Sequence, residues 1–564
     1  MLQTKKADFK QIGARFRIDP VTARIIRNRG IEGEAAIDRY LNGTLDDLYD
    51  PMLLKDMERA VSILCEAVDT GKKIRIVGDY DIDGVCSTYI LLQAFERLGS
   101  DVDFEIPDRI KDGYGINESI IEQAHADGVE VILTCDNGIS AFHQVELAKK
   151  YGMMVVITDH HEVPLDGEKE KIPPADAVID PKQADCPYPF PEICGAVVAY
   201  KLVQVLYARR GVPQMEWLDL LEFAAIATVG DVMKLQDENR ILVKYGLKKM
   251  AQTKNLGLRR LAEKNNLDLG AITAYHIGFV IGPCLNAGGR LKTAKEALAL
   301  LRAQREEEAE RLAEELKELN DTRKDMTEQG TEAAKLQVES WYQKDKVLVV
   351  FLPECHESLA GIIAGRLREY YQKPAIVLTR GEEAVKGSGR SIDEYHMFKK
   401  LTEVSDLLLK FGGHPLAAGL SLEEKNIDEF RRRLNENAGL TEEDFKAKVW
   451  IDVPMPVGYV TERLVRELSC LEPFGQGNEK PLFAEKSLRI RASRVLGRNR
   501  NVVKMTLEET DGRAIEALYF GDGTAFEEER AGRREIDVVY YPDINEYNGR
   551  KTLQAVIRRY KFRG

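Results

Sequence analysis

Long apolar runs are missing from this sequence. No stretch of about 18 uninterrupted apolar residues occurs, so we expect no transmembrane helix. The first residues, MLQTKKADFK, lack the apolar core of a signal peptide. The eight cysteines include no C-x-x-C pair, which argues against a zinc or disulfide framework and predicts reduced thiols in the cytoplasm.

Several familiar motifs are also missing. The chain has no G-x-x-x-x-G-K-[ST] loop for ATP and no G-x-S-x-G nucleophile elbow, and GSGR at 387–390 is not a dinucleotide-binding fingerprint. Residues 79–84, DYDIDG, match the first half of an EF-hand loop. The twelfth position of that loop would be Ile90 instead of the required glutamate, which excludes calcium-hand chemistry.

The net charge of −12 argues mildly against a protein that coats nucleic acid through bulk charge. The charge is unevenly distributed, however. Residues 484–564 carry 17 Lys and Arg against 13 Asp and Glu, which gives +4 and leaves −16 for the rest of the chain. A basic end on an acidic protein is compatible with a local nucleic-acid-binding surface.

The length of 564 residues exceeds what one hydrophobic core supports, so we expect two to four domains. Residues 1–70 read as an N-terminal helical segment. In the domain expected at 71–293, short β-rich runs alternate with helical stretches from Lys73 to about Asp180, which is typical of a parallel sheet covered on both faces, and helices dominate from about Gly195 to Lys254. A charged helical stretch at 294–341 is expected to connect this domain to a smaller α/β domain at 342–449.

The predicted secondary structure changes to short strands from 450 to 564. Five strand-like runs follow one another with short polar turns, and several alternate apolar and polar residues as half-buried antiparallel strands do. Five such strands fit an all-β barrel of the OB type, a fold often used to bind oligonucleotides. A small barrel without a ligand fits the strand count almost as well, and the basic balance favours nucleic acid.

Acids and histidines follow the predicted strands of the first α/β region at their carboxyl ends. Because the carboxyl ends of parallel strands converge on one crevice, we expect these side chains to meet there. A further acid follows the apolar run in ATVGDVMKL. In chain order the residues are Asp79, Asp81, Asp83, Asp136, Asp159, His160, His161 and Asp231.

Carboxylates with imidazole and no thiolate form a hard ligand set that suits Mn²⁺ or Mg²⁺. The set is larger than one ion needs if water and substrate also coordinate. We therefore expect two divalent cations, about 3.5–4 Å apart, that share a bridging carboxylate and clamp a phosphoryl group. Such cations would neutralise the cluster of aspartates.

Each element also has a plainer interpretation. An aspartate after a strand is usually a helix N-cap, Asp136 before Asn-Gly fits a simple turn, and an adjacent histidine pair is most often incidental. The joint occurrence of these residues on successive strand ends is much harder to obtain by accident. We therefore favour the functional interpretation.

Six segments, in order, resemble the motifs of the DHH phosphoesterase superfamily, which is named for the triplet at 159–161. They are GDYDIDG, TCDNGIS, TDHH, ATVGD, NAGGRL and FGGHPLAAGL. The resemblance runs from Lys73 to the C-terminus. It implies a DHH domain, a DHHA1 domain with the active site in the cleft between them, and a C-terminal OB domain. The activity implied is stepwise 5′→3′ removal of nucleotides from single-stranded DNA, in DNA repair and recombination.

The resemblance also implies residue roles. The implied metal ligands are Asp81, Asp83, Asp136, His160 and Asp231, with Asp79 either coordinating or hydrogen-bonding behind them. His161 is expected near the scissile phosphate and Asp159 beside one imidazole, so that the catalytic set is His161, Asp136 and Asp159. The implied substrate contacts are Arg109, Tyr114, Arg290, Ser388, Arg390 and His414. The arginines could equally well form surface or interdomain salt bridges instead of binding substrate, and Tyr114 could equally well be a core aromatic residue.

Two rival functions remain open at this point. The first is a DHH enzyme of small substrates, such as an oligoribonuclease, a cyclic-dinucleotide phosphodiesterase or a pyrophosphatase. The second is an inactive relative that only binds DNA. The barrel and the long helix favour a polymeric substrate, and the filled ligand positions favour an enzyme. Family logic adds a single-stranded-DNA-binding protein and a helicase as partners of a cytoplasmic monomer.

Overall fold

The computed structural model describes residues 1–109, 113, 115–547 and 549–564. Residues 71–293, here called the first α/β domain, contain a five-stranded sheet in which every pairing is parallel. In spatial order its strands are Val102–Glu105, Ile74–Val77, Val131–Cys135, Met154–Thr158 and Ala177–Ile179. All five strands were predicted from the β-rich runs of the sequence, and the predicted parallel sheet is confirmed.

Helices cover both faces of this sheet because each face is a continuous apolar surface, with four strands buried almost throughout. The chain leaves the strand at 74–77 toward one edge and later returns to its other side, so the strand order reverses there. Ligands bind at such a switch point. The helices are Ile82–Arg97, Glu118–Ala126, Phe142–Lys150, Gly195–Arg209, Gln214–Leu218, Leu221–Gly230, Asp237–Met250, Leu256–Lys264 and Ala274–His276, the last continuing through a π-helical turn, Ile277–Ile281, into Gly282–Leu291.

The predicted helical connection at 294–341 is divided in two. A short helix, Lys295–Arg302, ends where Ala303 turns to ψ 126°, and a 32-residue helix, Glu306–Gln337, follows. The N-terminal half of the long helix packs into the core of the first α/β domain through Leu316 and its neighbours. Ala334 packs into the core of the next domain, so one rigid element joins both.

Residues 342–449, here called the second α/β domain, contain a mixed five-stranded sheet. Its strands, in spatial order, are Leu408–Gly413, Ala417–Leu422, Val385–Arg390, Ala375–Arg380 and Leu348–Phe351. Only the last two strands pair in parallel. The helices of this domain are Glu357–Tyr371, Met397–Thr402 and Ile427–Glu436.

Residues 450–564 form the barrel domain. Its five long strands close on themselves because the first pairs with both the second and the fourth, which confirms the predicted OB-like barrel. The strands are Phe483–Leu496, Val502–Glu508, Ala514–Phe520, Glu535–Tyr547 and Arg550–Arg563, and Val453–Pro454 adds a short edge. The sequence did not indicate the helices Glu462–Leu468 and Gly523–Arg530.

The N-terminal segment belongs to two domains. Its first three helices pack into the core of the barrel domain through residues that include Ile25, Ile26 and Tyr40. Its fourth helix packs into the first α/β domain through Leu64 and its neighbours. The helices are Phe9–Phe16, Pro20–Asn28, Glu34–Asn42 and Met57–Thr70. Within the described ranges, no helix combines the length and apolar composition that crossing a bilayer requires.

Candidate metal centre and adjoining cleft

Four of the predicted ligands meet at one point in the first α/β domain, where strand ends supply Asp136 and His160 and two helices supply Asp83 and Asp231. The Nε2 atom of His160 lies 3.1 Å from Asp136 Oδ1, 3.5 Å from Asp83 Oδ2 and 3.8 Å from Asp231 Oδ2. Burial lowers the pKa of His160 and thereby favours the neutral imidazole that binds metals. We call Asp79, Asp81, Asp83, Asp136, His160 and Asp231 together the acidic centre.

Asp81 occupies the position that begins a helix. Its Oδ1 accepts the backbone N–H groups of Asp83 at 2.9 Å and of Gly84 at 3.2 Å, so it is the N-cap of Ile82–Arg97. The capping interpretation and the ligand interpretation are therefore compatible, because the cap uses one carboxylate oxygen. The cap also fixes the direction of that carboxylate.

Asp83 is held by the start of a different helix. Its two oxygens accept the N–H groups of Gly195 at 2.7 Å and Ala196 at 2.8 Å, the first residues of Gly195–Arg209. The positive end of the helix dipole stabilises a buried carboxylate there. The same Oδ2 faces His160.

Asp136 adopts a left-handed backbone conformation, with φ 61°. Its N–H donates to Thr158 O at 3.1 Å, which ties it to the neighbouring strand end. A Cβ at Gly195 would lie 2.7 Å from Asp136 Cβ, so only glycine lets the helix begin this close to the acidic centre. Non-glycine residues rarely adopt positive φ, and they concentrate where function demands it.

Asn137 is a positioning residue that sequence reasoning missed. Its Nδ2 donates to Val77 O at 3.0 Å and to Cys135 O at 2.9 Å, and its Oδ1 accepts Ile116 N–H at 3.2 Å. It therefore fixes the ends of two neighbouring strands relative to each other. The Asn-Gly pair signals only a turn in the sequence, which hides this role.

Asp159 points away from the acidic centre and orients His161. It accepts Nδ1 of His161 at 2.7 Å and the N–H of Ile139 at 2.9 Å. Burial alone would raise the pKa of Asp159, but the hydrogen bond and charge of His161 lower it below its usual range. Burial lowers the pKa of His161, yet Asp159 outweighs this effect and raises it to about 9, so His161 is protonated at neutral pH.

Asp180 is a further strand-end acid that was overlooked although its strand was recognised. It follows Ala177–Ile179, is fully buried, and accepts the N–H of Lys182 at 2.8 Å. Burial, and then the charge of Asp159, raises the pKa of Asp180 to about 7. It lies behind the Asp159–His161 pair and adds negative charge there.

The carboxylates of the acidic centre destabilise one another in the absence of cations. Burial, followed by the charge of Asp81, raises the pKa of Asp79 to about 8. Burial, followed by the charge of Asp83, raises the pKa of Asp231 to about 8 and also shifts those of Asp81 and Asp136 upward. Such mutual repulsion in a buried site is what bound divalent cations would relieve.

The donors fit two cations. Three overlapping groups of residues each supply three donor atoms, and within a group these atoms lie within 4.8 Å of one another. The groups are Asp79, Asp81 and Asp136; Asp83, His160 and Asp231; and Asp136, His160 and His161. Their donors are carboxylate oxygens and imidazole nitrogens, which suit Mn²⁺ or Mg²⁺. Burial raises the pKa of the neighbouring Cys135 thiol to about 12, so that cysteine is a poor thiolate ligand.

A cleft of about 740 Å³ separates the first and second α/β domains beside the acidic centre. Four of the six predicted substrate contacts line it: Arg109, Arg290, Ser388 and Arg390. Sequence reasoning missed other lining residues, which include Tyr80, Gly361, Lys386, Lys410 and Phe411. We call this space the arginine cleft.

Arg290 crosses the arginine cleft from the first α/β domain and donates to Ser358 O in the second at 3.0 Å. Burial, followed by the charges of Arg109 and Arg323, lowers its pKa to about 10. Among the described residues, no carboxylate forms a salt bridge with Arg290 or Arg390. A partly buried cation without an acidic partner is unfavourable, so this arrangement suits a bound anion.

Arg390 and Ser388 form a unit on one strand. Nη1 of Arg390 donates to Ser388 Oγ at 3.0 Å and to Gly389 O at 2.8 Å. Gly361 faces them, and a Cβ there would lie 2.8 Å from Arg390 Nη2. Arg109 stands across the cleft with its guanidinium 4.8 Å from the centre of the Tyr80 ring.

The two remaining predicted contacts are placed differently. His414 is exposed and is not among the cleft-lining residues; its charge, after the stronger effect of Lys182, helps to lower the pKa of Glu162. His414 thus lies near Glu162, the residue that follows His161, and outside the lining of the arginine cleft. Tyr114 lies outside the described residues.

Family models match three parts of the chain. The DHH family N-terminal domain matches residues 73–228, the DHHA1 domain matches 344–439, and the RecJ OB domain matches 451–559. Fold and site thus define a DHH-type phosphoesterase with an additional OB domain.

Similar proteins show to which family of DHH-type phosphoesterases the chain belongs. The single-stranded-DNA-specific exonuclease RecJ of Bacillus subtilis is 36% identical over 97% of this chain and 69% of its own length. That of Escherichia coli is 34% identical over 96% of this chain and 95% of its own. Crystalline RecJ from Thermus thermophilus with Mn²⁺ is 28% identical, with a TM-score of 0.85 over 99% of this chain and 79% of its own. The chain belongs to the RecJ family.

Proposed function

We propose that this protein is a metal-dependent exonuclease that removes nucleotides from the 5′ end of single-stranded DNA. The observation that carries the proposal is the juxtaposition of the acidic centre and the arginine cleft. One side is built for cations that hold a phosphodiester, and the other contains Arg290 and Arg390, which form no salt bridge with a carboxylate of the described residues. A DNA end has the complementary pattern of one scissile phosphate next to a terminal one. Membership of the RecJ family supports the same substrate.

The cofactors we propose are two divalent cations, Mn²⁺ or Mg²⁺, since Thermus RecJ has been crystallised with each. The first would be held by Asp79, Asp81 and Asp136, and the second by Asp83, His160 and Asp231. When bound, such ions withdraw charge from a phosphodiester and lower the pKa of water. Asp136 and His160 each belong to two of the three donor groups, and Asp136 is the natural shared ligand because a carboxylate has two oxygens that can bridge two ions.

His161 is the group that we assign to the substrate. Asp159 accepts its Nδ1 proton, which sets the orientation of the ring and keeps the imidazole protonated. The charged ring therefore offers a proton donor to an oxygen of the scissile phosphate or to the leaving 3′ oxygen. Asp159 acts through His161, and it stabilises the imidazolium without contacting DNA.

The arginine cleft accounts for the direction of degradation. We assign Arg109, Ser388 and Arg390 to the 5′-terminal phosphate and Arg290 to the backbone between that phosphate and the acidic centre. Arginine suits this role because its planar group presents paired N–H donors to phosphate oxygens. A pocket that holds a terminal phosphate admits an end, and therefore favours stepwise release.

The remaining parts of the proposal concern the wider context. The barrel domain offers a basic surface for the strand, where Lys480 and Arg558 lie 3.8 and 5.1 Å from the ring centre of Tyr541. Eight free cysteines fit a cytoplasmic location. A monomer that acts with a single-stranded-DNA-binding protein and a helicase is the assembly that the family resemblance implies.

The test of polarity uses 5′-labelled and 3′-labelled single strands of the same sequence, with a blunt duplex as control. The 5′ label should appear as mononucleotide in the first cycles, and the 3′ label should remain in long products until late. EDTA should stop the reaction and Mn²⁺ should restore it. Early release of the 3′ label, or equal cleavage of the duplex, would contradict the proposal.

Arg390→Gln should weaken the use of 5′-phosphorylated strands. Hydrogen bonds to charged groups contribute about 1.5–3 kcal/mol, so KM for a phosphorylated strand should rise by about tenfold or more. KM for the matching 5′-hydroxyl strand should change little, because it lacks the terminal phosphate. Steady-state kinetics on both strands measures the difference.

Arg380→Gln provides the matched control for this experiment. Arg380 ends the neighbouring strand of the same sheet, is half-exposed, and reaches Glu424 instead of the arginine cleft. Its replacement should leave both KM values unchanged. Equal losses on both kinds of strand for Arg390→Gln would remove that residue from the terminal-phosphate site.

A further inference from the structure

The barrel domain holds the segment of chain that follows Asp231. The N–H of Leu235 donates to Gln476 O at 2.7 Å, and Nε2 of Gln236 donates to Gly477 O at 2.9 Å. We call residues 231–236 the Asp231 segment and residues 471–478 the barrel loop. Both hydrogen bonds join the two domains only a few residues beyond a member of the acidic centre.

Packing strengthens this connection. Leu235 is 1% exposed and lies directly against Gly475, where a Cβ would stand 2.6 Å from Leu235 Cδ1. Gly477 has φ +70°, and a Cβ there would lie 3.3 Å from Lys234 Cβ. Two glycines thus allow the barrel loop to approach the Asp231 segment closely, and a larger residue at either position would displace one of them.

The barrel loop is itself fixed from inside. Asn478 is fully buried, its Nδ2 donates to Leu471 O and Pro473 O at 2.8 Å, and its Oδ1 accepts the hydroxyl of Tyr40 at 2.8 Å. Buried Arg240 of the first α/β domain also donates to Leu471 O at 2.9 Å. The loop is therefore a rigid support, held to three parts of the molecule.

The other end of the Asp231 segment is equally constrained. Asp231 ends the helix Leu221–Gly230, and Met233 N–H returns to Thr228 O at 3.0 Å. Val232 has φ 57°, which is unusual for a β-branched residue. The segment is short and held at both ends. A displacement of Leu235 is therefore transmitted along it to Asp231.

We propose that the barrel loop is a positioning element for Asp231, so that the barrel domain helps to set the metal affinity of the first α/β domain. The inference rests on the proposed metal-dependent function. It assigns to Gly475, Gln236 and Asn478 an effect on metal binding although none of them lies in the acidic centre. The DNA-binding surface of the barrel domain is not involved.

The test is Mn²⁺ binding to the full-length Gly475→Ala protein, measured by isothermal titration calorimetry without DNA. The added methyl pushes Leu235 and with it the Asp231 segment. Disturbing residues that orient metal ligands typically weakens metal binding 10–100-fold, so we expect about a tenfold loss. At limiting Mn²⁺ the kcat on single strands should fall in parallel, while the Kd for single-stranded DNA measured in EDTA should not change.

Gly458→Ala is the matched control. It lies in the same barrel domain and adds the same methyl group at an equally short distance, because a Cβ there would stand 2.6 Å from the guanidinium of Arg513. Arg513 is exposed and can move aside, and its hydrogen-bond partners among the described residues are Gly458, Glu509 and Asp511. Mn²⁺ affinity should therefore remain that of the unmodified protein, and equal affinity of the Gly475→Ala protein would overturn the inference.

Two further variants distinguish a local effect on the Asp231 segment from general destabilisation of the fold. Adding Leu235→Ala to Gly475→Ala removes the colliding atoms and should restore Mn²⁺ affinity, whereas general destabilisation would make the double variant worse. Gln236→Ala removes one hydrogen bond and should weaken Mn²⁺ binding about threefold with intact thermal unfolding; normal affinity would contradict the inference. Failure of the unmodified protein to bind Mn²⁺ would instead refute the proposed function.

Discussion

Asp136→Asn should reduce hydrolysis of single-stranded DNA by at least about a hundredfold. Replacing residues that merely orient metal ligands already costs about 10–100-fold, and Asp136 is the carboxylate that belongs to two donor groups. Asparagine is the sharpest replacement because it keeps the volume and tolerates the left-handed conformation at φ 61°. Initial rates with Mn²⁺ on a labelled single strand measure the loss.

Binding of the strand should survive this change. The arginine cleft and the barrel domain remain intact, so the Kd for single-stranded DNA in EDTA should be unaltered. Asp166→Asn is the control, since Asp166 is an exposed acid in a hairpin of the same domain. Its rate should match that of the unmodified protein. Full activity of the Asp136→Asn protein would end the two-cation assignment.

Mn²⁺ should stabilise the protein far more at pH 8 than at pH 6. Asp79 and Asp231 have folded-state pKa values of about 8, well above those of an unfolded chain. Between pH 4 and 8 the metal-free folded state therefore binds protons that the unfolded state does not. Its stability falls as pH rises through this window, by on the order of 1 kcal/mol per pH unit for each group.

Bound cations remove this dependence, because they keep the carboxylates ionised in the folded state as well. Differential scanning calorimetry at pH 6, 7 and 8, with EDTA or saturating Mn²⁺, gives the comparison. The unfolding temperature in EDTA should drop by several degrees across the series and should stay nearly level with Mn²⁺. Asp231→Asn should make the EDTA series less steep by removing one of the groups whose pKa is raised in the folded state. Parallel series with and without Mn²⁺ would contradict the prediction.

The strand ends of the first α/β domain were predictable because every signal there is local. Apolar runs mark buried strands, and a parallel arrangement forces their carboxyl ends together, so Asp136 and His160 could be placed side by side from 24 residues apart in sequence. The same logic should have selected Asp180, which follows the fifth strand. It was overlooked because no motif surrounds it.

Other features depend on close approach between distant segments and leave no periodic signal. Gly195 is an ordinary glycine in sequence, yet it determines how near a helix begins to Asp136. The contact of Gly475 with Leu235 spans 240 residues, and nothing local indicates it. Arg290 and Arg390 were found only through the family resemblance, since an arginine in a cleft and an arginine in a salt bridge look alike in a sequence.

The shared core of the N-terminal helices and the barrel domain has a consequence for synthesis. Ile25 and Ile26 share a hydrophobic core with Ile37 and Tyr40 of the same segment, but most residues of that core lie beyond 450. At roughly 5–20 residues per second, the ribosome needs about 20–80 s to make the intervening chain. Throughout that time the apolar face of the first helices lacks its partner in the barrel domain and is open to non-native contacts.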